Sequence, residues 1–398
     1  MDLGDPDLYA SEKRYEMWQD FLADDRIVRS DPGWSPSGFW SAFSHRACQE
    51  LLAPGKPVTS EYGMLIGFDK SNPDRGGGKM IVATDGAAHK RLRRVLGRFL
   101  TPSALQRLGS FIDSEVARLL TAAAEDDVVD VAQGIGPTLP AAVVCELLGV
   151  PQADRDYLIE LTDKAFASPD SESAGTATTD AHTDIFFYFN DRVDECRRNP
   201  GVDLISALIT SGELGVDEVL TNCYNLLIGG NQTSRHLMCG VFHAAAEVPG
   251  LLDVVRDRPD AHRAVTEELL RWVSPGMHVL RVATEDTILH GQRIQEGEAV
   301  VAWLAAANRD PRVFPDPENF RWDRGANPHL ALGHGVHHCV GAQLARMESS
   351  RLFAALAARS RAVTPAEPPV RTRSNLIQGY RRLPVAIDWQ AGAVDAPA

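Results

Sequence analysis

Cys339 is the residue whose surroundings point most directly to chemistry. It stands in the segment LGHGVHHCVGAQLAR, among Gly333, Gly335 and Gly341. Glycine permits a positive φ and lets the backbone approach a flat partner closely. Apolar spacing after Gly341 predicts a helix whose N-terminal N–H groups and dipole face the sulfur. Both features favour a thiolate, which is the form of cysteine that ligates a metal.

Three interpretations of this cysteine loop are open on the residues alone. Nearby histidines could join Cys339 in a zinc site, but His338 and Cys339 are adjacent and point in different directions, and no second ligand pair lies nearby. The cysteine could also be a structural residue with incidental histidine neighbours. The third interpretation is an axial thiolate ligand of haem iron.

The segment resembles the haem-binding loop of the cytochrome P450 family, Phe-Gly-x-Gly-x-His-x-Cys-x-Gly followed by a Leu-Ala-Arg helix. It departs from that loop at Leu332, where the family has Phe. The matching positions are Gly333, Gly335, His337, Cys339, Gly341, Leu344, Ala345 and Arg346. The resemblance extends over nearly the whole chain and implies a single P450 domain over residues 1–398. It implies a mainly α fold with a smaller β region, and haem between a long oxygen-binding helix and the helix after the cysteine loop.

Glu268 and Arg271 are three residues apart in a segment that is apolar on nearly all sides. On a helix they share a face, so the spacing predicts a buried structural ion pair, with an ordinary surface pair as the alternative. They are followed by Asn308-Arg309-Asp310-Pro311, an order that resembles the P450 core helix and meander. Asn319 stands where the family often has Arg, so Arg324 is the candidate for the third member of this network.

A cluster of basic residues follows Ala88. His89 and Arg93 are four residues apart and share one face of a predicted helix, although a solvated basic face is the alternative. Haem carries two propionates, and their burial requires cations or hydrogen-bond donors. The resemblance implies that this role is filled by His89, Arg93, Arg281 and His337. A basic patch for an acidic electron donor is also predicted, from Lys90, Arg91, Arg94 and Arg98.

A long helix is predicted over Asp217–Glu247, which opens with acidic residues and ends before a Pro-Gly pair. Two adjacent glycines in its interior, Gly229 and Gly230, cost about 2 kcal/mol relative to alanine. Close packing against another helix or the close approach of a ligand would explain that cost. The stretch is similar to the P450 oxygen-binding helix, where Gly-x-Asp/Glu-Thr brackets dioxygen, and Gly230 and Thr233 match it.

Gln232 departs from that motif, because the family usually has a carboxylate at this position. An amide donates and accepts hydrogen bonds but does not ionise near neutral pH. By resemblance, the oxygen site comprises Gly230, Gln232 and Thr233. We expect Thr233 to order water there, and proton delivery to be slower or altered.

The substrate pocket implied by the resemblance is lined mostly by apolar residues, as expected for a site dominated by burial. The expected wall residues are Leu226, Leu227, Met277, His278, Val279, Ile377 and Gln378, with further contributions from Gly63–Ile66 and Ser168–Thr183. His278 and Gln378 either orient a polar group of the substrate or face away from it. Ser168–Thr183 and the glycine-rich Asn72–Lys79 are predicted to be mobile loops.

Helical periodicity dominates residues 85–275. Besides the long helix, helices are predicted over Leu105–Leu120, Leu139–Leu148, Tyr157–Phe166 and Phe186–Arg197. Strands are predicted over Val279–Thr284, Thr287–His290, Ala299–Leu304 and Leu383–Ile387.

The composition excludes several classes of protein. The chain has 398 residues, a net charge of −14 and 44% hydrophobic residues, which predicts a substantial core and argues against a nucleic-acid partner. It contains no run of 18 apolar residues, and its acidic start does not resemble a signal peptide, so we expect no membrane span. Six scattered cysteines without a CxxC pair favour a reduced cytoplasmic protein.

The resemblance implies a haem-thiolate monooxygenase that oxidises a small, largely apolar substrate, with Cys339 holding the iron of haem b. The chain is too short to include a reductase domain, so electrons would come from a separate ferredoxin and its reductase. Secondary-metabolite biosynthesis, of a polyketide or aromatic antibiotic, is the expected setting. One alternative is oxidative coupling or action on a substrate tethered to an acyl or peptidyl carrier protein. The other is a non-catalytic haem sensor.

Overall fold

The computed structural model describes residues 1–67, 74, 76–100, 102–165 and 174–390. The chain groups into two compact units, each assembled from segments that are distant in the sequence. Unit 1 comprises Met1–Lys90, Glu267–Ala342 and Arg371–Gly379. Unit 2 comprises Arg91–Thr266, Gln343–Val370 and Tyr380–Ala398. The single domain over residues 1–398 stays a prediction.

Helices make up most of the described chain, as its periodicity predicts. In chain order they are α1 (Lys13–Asp24), α2 (His45–Leu52), α3 (Gly86–Gly97), α4 (Pro102–Ala123), α5 (Ile135–Leu148), α6 (Gln152–Ala165), α7 (Ala174–Arg198), α8 (Leu204–Thr210), α9 (Val216–Glu247), α10 (Leu251–Asp257), α11 (His262–Val273), α12 (Leu304–Ala307) and α13 (Ala342–Arg359). The predicted long helix is α9, and the other four predicted helices lie in α4 to α7. Phe166, the last residue of one of them, lies outside the described residues.

Strands are short and fewer. They are β1 (Val28–Ser30), β2 (Phe39–Ala42), β3 (Val58–Thr59), β4 (Val129–Asp130), β5 (His278–Ala283), β6 (Thr287–Leu289), β7 (Gln292–Ile294), β8 (Ala299–Trp303), β9 (Ser360–Pro365), β10 (Val370–Arg371), β11 (Tyr380–Arg382) and β12 (Pro384–Trp389). The four predicted strands correspond to β5, β6, β8 and β12. The predicted fold, mainly α with a smaller β region, is confirmed.

The core of unit 1 surrounds a five-stranded sheet in the order β1-β2-β8-β5-β3. All five residues of β8 are buried, as expected of an apolar strand in the middle of a sheet. Trp303, at the end of β8, stacks on Tyr9 and Phe43 with ring centroids 5.1 and 5.8 Å apart. This packing fixes β5, the strand that carries His278 and Arg281.

Unit 2 is organised around α9, whose start the sequence specifies locally. The Gly215 N–H donates to the Glu218 carboxylate at 2.9 Å, and the acidic side chains of the first turn lie at the positive end of the helix dipole. Helix α5 packs tightly against α9, because a Cβ on Gly136 would lie 2.8 Å from the Cys239 Sγ. A three-stranded sheet in the order β4-β12-β9 completes this unit.

Two loop predictions need comment. The prediction of a mobile loop over Ser168–Thr183 is wrong for residues 174–183, which form the first turns of α7. Its small polar residues lack a clear apolar stripe, so periodicity did not reveal the helix. Residues 168–173 lie outside the described part of the chain, as do residues 72, 73 and 75 of the predicted loop Asn72–Lys79.

Among the described helices, none alone combines the length and the apolar character needed to cross a membrane. Only the bent pair α9 and α10, which turns by 108°, meets that test by length and composition.

Candidate active site

The cysteine loop lies in unit 1 and presents Cys339 just before α13. The Cys339 N–H donates to the Leu332 carbonyl at 2.8 Å, and the Ala342 N–H, the first of the helix, donates back to the Cys339 carbonyl at 3.3 Å. Cys339 is exposed, whereas the other five cysteines are buried. Burial raises the pKa of Cys145 and Cys239 to about 12, so both remain thiols. Cys339 is therefore the cysteine placed to ligate a metal.

The glycines of the loop do different work. Gly333 and Gly335 adopt the positive φ that their residue type permits, 74° and 70°. A Cβ on Gly335 would lie 2.1 Å from the Leu52 carbonyl oxygen, so the close neighbour there is the protein's own backbone rather than a ligand. A Cβ on Gly341 would meet the Cys339 Sγ at an ordinary 3.9 Å. Their contact with a cofactor stays a prediction.

Arg281 is a buried cation that is short of partners. Only 6% of the residue is exposed. Its guanidinium donates to the Leu280 carbonyl at 2.8 Å, and no carboxylate among the described residues lies within ion-pair distance. Burial lowers the pKa of Arg281 to about 10, and the charge of Asp85 offsets only part of that effect. A buried guanidinium with one neutral acceptor suits a site that receives an anion from outside the chain.

The structure brings His89 and His337 together in the same unit. Their ring centroids are 4.2 Å apart, and His89 is only 3% exposed. The His337 Nε2 lies 2.8 Å from the Asp85 carboxylate and 3.1 Å from the Ser60 hydroxyl. Asp85 was not predicted, although it stands four residues before His89, and it holds the imidazole of His337 in place. Arg93 follows one turn after His89 on α3 and is partly buried.

Burial alone would raise the pKa of Asp85. Hydrogen bonds from His337, from the Ser60 N–H and from the Thr59 hydroxyl outweigh that effect and hold the pKa well below its ordinary value. Asp85 is therefore a carboxylate at every physiological pH, and it accepts the hydrogen bonds that fix this part of unit 1.

The predicted ion pair is fully buried on α11. Arg271 donates to the Glu268 carboxylate from Nε at 2.8 Å and from Nη2 at 2.7 Å, and both side chains are 0% exposed. Arg324 donates to the same carboxylate at 2.9 Å, which confirms it as the third member. Asn327 adds a fourth bond at 3.0 Å, and the Arg321 backbone N–H adds a fifth at 2.7 Å. Asn319 contributes its backbone carbonyl, an acceptor for Arg271 at 3.1 Å.

The two adjacent glycines of α9, Gly229 and Gly230, have different surroundings in the structure. A Cβ on Gly230 would lie 2.6 Å from the Val144 Cγ2, so this glycine is explained by close packing against α5. Gly229 has nothing within 4 Å of that position, and its carbonyl accepts a hydrogen bond from the Thr233 hydroxyl at 3.2 Å. Gly230 and Gly229 stand three and four residues before Thr233, so both lie on its side of the helix. The role of Gly230 at the oxygen site stays a prediction.

Gln232 does not share that face. It is 6% exposed, and its side-chain amide donates to the Thr162 carbonyl of α6 at 3.2 Å. The adjacent Asn231 donates to the Thr162 hydroxyl at 2.8 Å. The structure thus gives Gln232 a helix-packing contact where the resemblance implies an oxygen-site role.

Several predicted substrate contacts are core residues in the structure. Met277 is 1% exposed and belongs to the unit 1 core. The ring nitrogens of His278 lie 2.9 Å from the Asn375 carbonyl and 3.2 Å from the Ile66 N–H. Gln378 accepts from Arg14 at 3.1 Å and donates to the Val273 carbonyl at 2.6 Å. The contacts of His278 and Gln378 agree with the alternative that these two side chains face away from the substrate.

The remaining predicted wall residues are less constrained. Leu227 is fully buried, while Leu226 on α9 and Val279 on β5 are partly buried. Ile377 is partly buried too and forms an isolated bridge with Gly276. Their contact with substrate stays a prediction.

Acidic residues of unit 2 meet the basic cluster on α3. Arg91 pairs with Glu218 at 2.5 Å, and both Arg94 and Arg98 pair with Glu213 at 2.6 Å. Two carboxylates thus pair with three arginines, and the side chains of Arg94 and Arg98 stay 55% and 51% exposed. Their role as a basic patch for an electron donor stays a prediction.

The model of the family described as cytochrome P450 matches residues 261–373. The chain is 32% identical to cytochrome P450 NovI of Streptomyces niveus over 394 residues, which span 97% of this chain and 96% of that protein. The chain belongs to the cytochrome P450 family. This P450 is a monooxygenase, an oxidoreductase that works through a haem-thiolate centre.

Solved P450 structures share the fold. The crystal structure of P450 OxyD, which is involved in the biosynthesis of vancomycin-type antibiotics, matches this P450 with a TM-score of 0.93 and 48% identity, over 98% of this chain and 100% of that one. P450BioI in complex with an acyl carrier protein ligated to hexadec-9Z-enoic acid matches with a TM-score of 0.85 and 26% identity, over 94% and 98%.

The residues of unit 1 fit a haem group. Its two carboxylates require cations and donors, and Arg281 is a buried guanidinium with a single neutral acceptor in the described structure. His89 and His337 lie side by side in the same unit. Cys339 supplies an exposed sulfur at the head of a helix.

Proposed function

We propose that this P450 inserts oxygen into a small, largely apolar organic substrate in secondary-metabolite biosynthesis, of the kind that yields antibiotics. The 48% identity to OxyD over nearly all of both chains supports this setting. Haem b, when bound, supplies the activation of dioxygen. The observation that carries the proposal is the exposed Cys339 at the head of α13, in the same unit as the under-partnered Arg281.

Cys339 would hold the haem iron through its sulfur in this proposal. The first N–H groups of α13 and the positive end of its dipole lie just after the sulfur in the chain. Both stabilise the thiolate over the thiol. The Cys339 N–H bond to the Leu332 carbonyl keeps the loop closed, so the sulfur is held in position before a metal arrives.

Arg281, His89, Arg93 and His337 hold the haem propionates. Arg281 provides a charge that the protein itself leaves almost unpaired. His337 is oriented by Asp85, so that its ring is fixed in one plane. A propionate that accepts from Arg281 would add hydrogen bonds without breaking existing ones. Burial of the propionate beside Arg281 is therefore favourable.

Thr233 positions water for proton delivery. Its hydroxyl donates to the Gly229 carbonyl, which leaves the oxygen lone pairs available to accept from a water molecule. The open space at Gly229 leaves room for a ligand next to the hydroxyl.

The experiment that tests oxygen insertion combines binding and product analysis. Candidate aromatic and polyketide-like compounds are screened for a shift in the iron spin state, and those that bind are then incubated with a ferredoxin, its reductase and dioxygen. The proposal predicts a product heavier than the substrate by one oxygen atom. A product lighter by two hydrogens would instead establish oxidative coupling, and binding without any turnover would establish a haem sensor.

A carrier-tethered substrate is a second candidate, favoured by the match to the P450BioI complex with its acyl carrier protein. The same spin-state titration distinguishes the two. A tethered substrate predicts a shift with the loaded carrier protein and none with the free acid or amino acid. We also propose that a separate ferredoxin and its reductase supply the electrons, as expected from the length of the chain. A cytoplasmic location is proposed from the scattered cysteines and the acidic start of the sequence.

A further inference from the structure

A cluster of hydrogen bonds joins α9 to α6 directly beside Thr233. Asn231 donates to the Thr162 hydroxyl at 2.8 Å, and Gln232 donates to the Thr162 backbone carbonyl at 3.2 Å. One turn later, Arg235 pairs with Asp163 at 2.5 Å. We call these five residues the α6–α9 contact.

The amide part of this contact is shielded from water. Asn231 and Thr162 are 0% exposed, and Gln232 is 6% exposed. The Asn231 Oδ1 is also buried, and it has no hydrogen-bond partner in the described part of the chain. A buried amide with an unsatisfied acceptor is unfavourable for folding. The contact therefore depends on the side-chain NH2 groups of Asn231 and Gln232, which donate to Thr162.

Thr162 lies in the last described turn of α6, which extends to Ala165. The Gln232 amide donates to the backbone carbonyl of this turn, so α9 supplies a donor to α6 here. An ionised glutamate at position 232 would accept hydrogen bonds without donating any, and would place a negative charge beside that carbonyl and beside Asp163.

The partner helix is held firmly at the same level. A Cβ on Gly230 would lie 2.6 Å from the Val144 Cγ2, so α9 packs closely against α5 there. Helix α6 is thus joined to the same stretch of α9 that packs on α5. The position of the last turn of α6 and the position of Thr233 are set by the same stretch of backbone.

We propose that Asn231 and Gln232 are positioning residues that hold the Thr162 turn of α6 against α9, and that the side chain of residue 232 carries no proton to the oxygen site in this P450. The first part stands on the contacts alone, and the second part rests on the proposed function. The amide at position 232 is required by helix packing, and proton delivery runs through water held by Thr233.

The test uses the haem-loaded protein and compares three variants with the wild type. Gln232→Glu replaces the donor with an acceptor and a charge, while Gln232→Met removes the donor without adding charge. Gln152→Glu makes the same amide-to-acid change at the exposed first residue of α6, where an acidic side chain suits the helix dipole. Amide hydrogen exchange is followed by mass spectrometry in peptides covering residues 159–165.

The proposal predicts exchange at least tenfold faster in Gln232→Glu, an intermediate rate in Gln232→Met, and the wild-type rate in Gln152→Glu. Unchanged exchange in Gln232→Glu would overturn the proposal that residue 232 holds α6 against α9. If that variant fails to fold, Thr162→Val takes its place, because it removes the acceptor of Asn231 without introducing charge. The expected result for it is again faster exchange, and the contradicting result is no change.

A second measurement on the same variants tests whether residue 232 delivers protons to the oxygen site. The fraction of electrons that leaks to hydrogen peroxide is measured during turnover of a substrate that shifts the spin state. The proposal predicts that Gln232→Glu leaks as much as the wild type or more. A marked fall in leakage would show that a carboxylate at position 232 delivers protons and would overturn the second part. Failure of the proposed function would appear separately, as the absence of any substrate oxidation by the wild type.

Discussion

Arg324 donates a hydrogen bond to the Glu268 carboxylate at 2.9 Å, with both side chains shielded from solvent at 5% and 0% exposure. Arg271, one turn further along α11, donates to the same carboxylate. One buried negative charge is therefore paired with two cations. Removal of Arg324 leaves Glu268 paired with Arg271 but takes away a charge-assisted hydrogen bond to the buried carboxylate.

Arg324→Met should accordingly lower the free energy of unfolding by about 1.5–3 kcal/mol. The matched control is Arg321→Met, because the side chain of Arg321 is 44% exposed and pairs with Asp323 at the surface, while the backbone N–H that reaches Glu268 is kept. That change should cost less than about 1 kcal/mol. Urea unfolding measures the loss of stability in both variants. Equal losses would mean that the Arg324 bond to Glu268 contributes no more to stability than a surface ion pair.

Arg281→Leu should separate stability from haem binding. A buried cation without a carboxylate is unfavourable in the protein alone, so the haem-free variant should be as stable as the wild type or more stable. Haem loss to an acceptor protein should be faster by about tenfold or more, which corresponds to at least 1.4 kcal/mol. A variant that is less stable without haem and retains haem normally would contradict the proposed propionate role.

The two glycines of α9 should respond in opposite ways to alanine. Gly230→Ala should destabilise the protein by about 1–3 kcal/mol, because the new Cβ meets Val144 at 2.6 Å. Gly229→Ala should raise the free energy of unfolding by up to about 1 kcal/mol, since it gains helix propensity in open space, yet lower turnover beside Thr233.

Thermal unfolding measures the stability of both alanine variants, and a double-mutant cycle with Val144→Ala isolates the clash at Gly230. Rescue of Gly230→Ala by Val144→Ala is the expected result. The absence of any coupling between these positions would exclude the packing explanation.

Glu348 on α13 makes stability depend on pH. It is 1% exposed, and its Oε2 has no hydrogen-bond partner among the residues described. Burial raises the pKa of Glu348 to about 8. Its folded-state pKa is above its unfolded value, so unfolding releases a proton at any pH between the two. This group therefore makes the protein progressively less stable as pH rises from about 4.5 to about 8.

Glu348→Gln should remove that loss and be more stable than the wild type at pH 8 by about 4 kcal/mol, with the difference vanishing near pH 4.5. Glu125→Gln, at an exposed position of the same unit, serves as the control and should leave the pH profile unchanged. Parallel profiles for the wild type and Glu348→Gln in urea unfolding across this pH range would show that Glu348 is not a buried neutral acid.

The sequence predicts elements and residue pairs well where the signal is local. The helix start at Asp217 and Glu218, the pair Glu268 and Arg271, and the loop around Cys339 all depend on neighbours within a few positions. The third partner, Arg324, was named as a candidate because Asn319 stands where the family often has Arg. The short strands β1 to β3 were not predicted, since they depend on pairing with distant strands.

The rotation of α9 could not be predicted from the sequence. Gly229 and Gly230 are adjacent and chemically identical, and only the packing of Val144 on one side distinguishes them. Gln232 is polar and stands beside Thr233 in the chain, but a helix turns adjacent residues about 100° apart. Its contact with Thr162 depends on where α6 lies, and tertiary packing decides that.

The central claim is that Cys339 is the thiolate ligand of the haem iron, and its most direct test is the absorption spectrum of the reduced protein under carbon monoxide. The account predicts the red-shifted band that is peculiar to sulfur-ligated iron in the wild type, and its loss in Cys339→Ser. Cys196→Ser, at a buried cysteine of unit 2, should keep that band. A wild-type spectrum without the band, or a Cys339→Ser spectrum that retains it, would contradict the account.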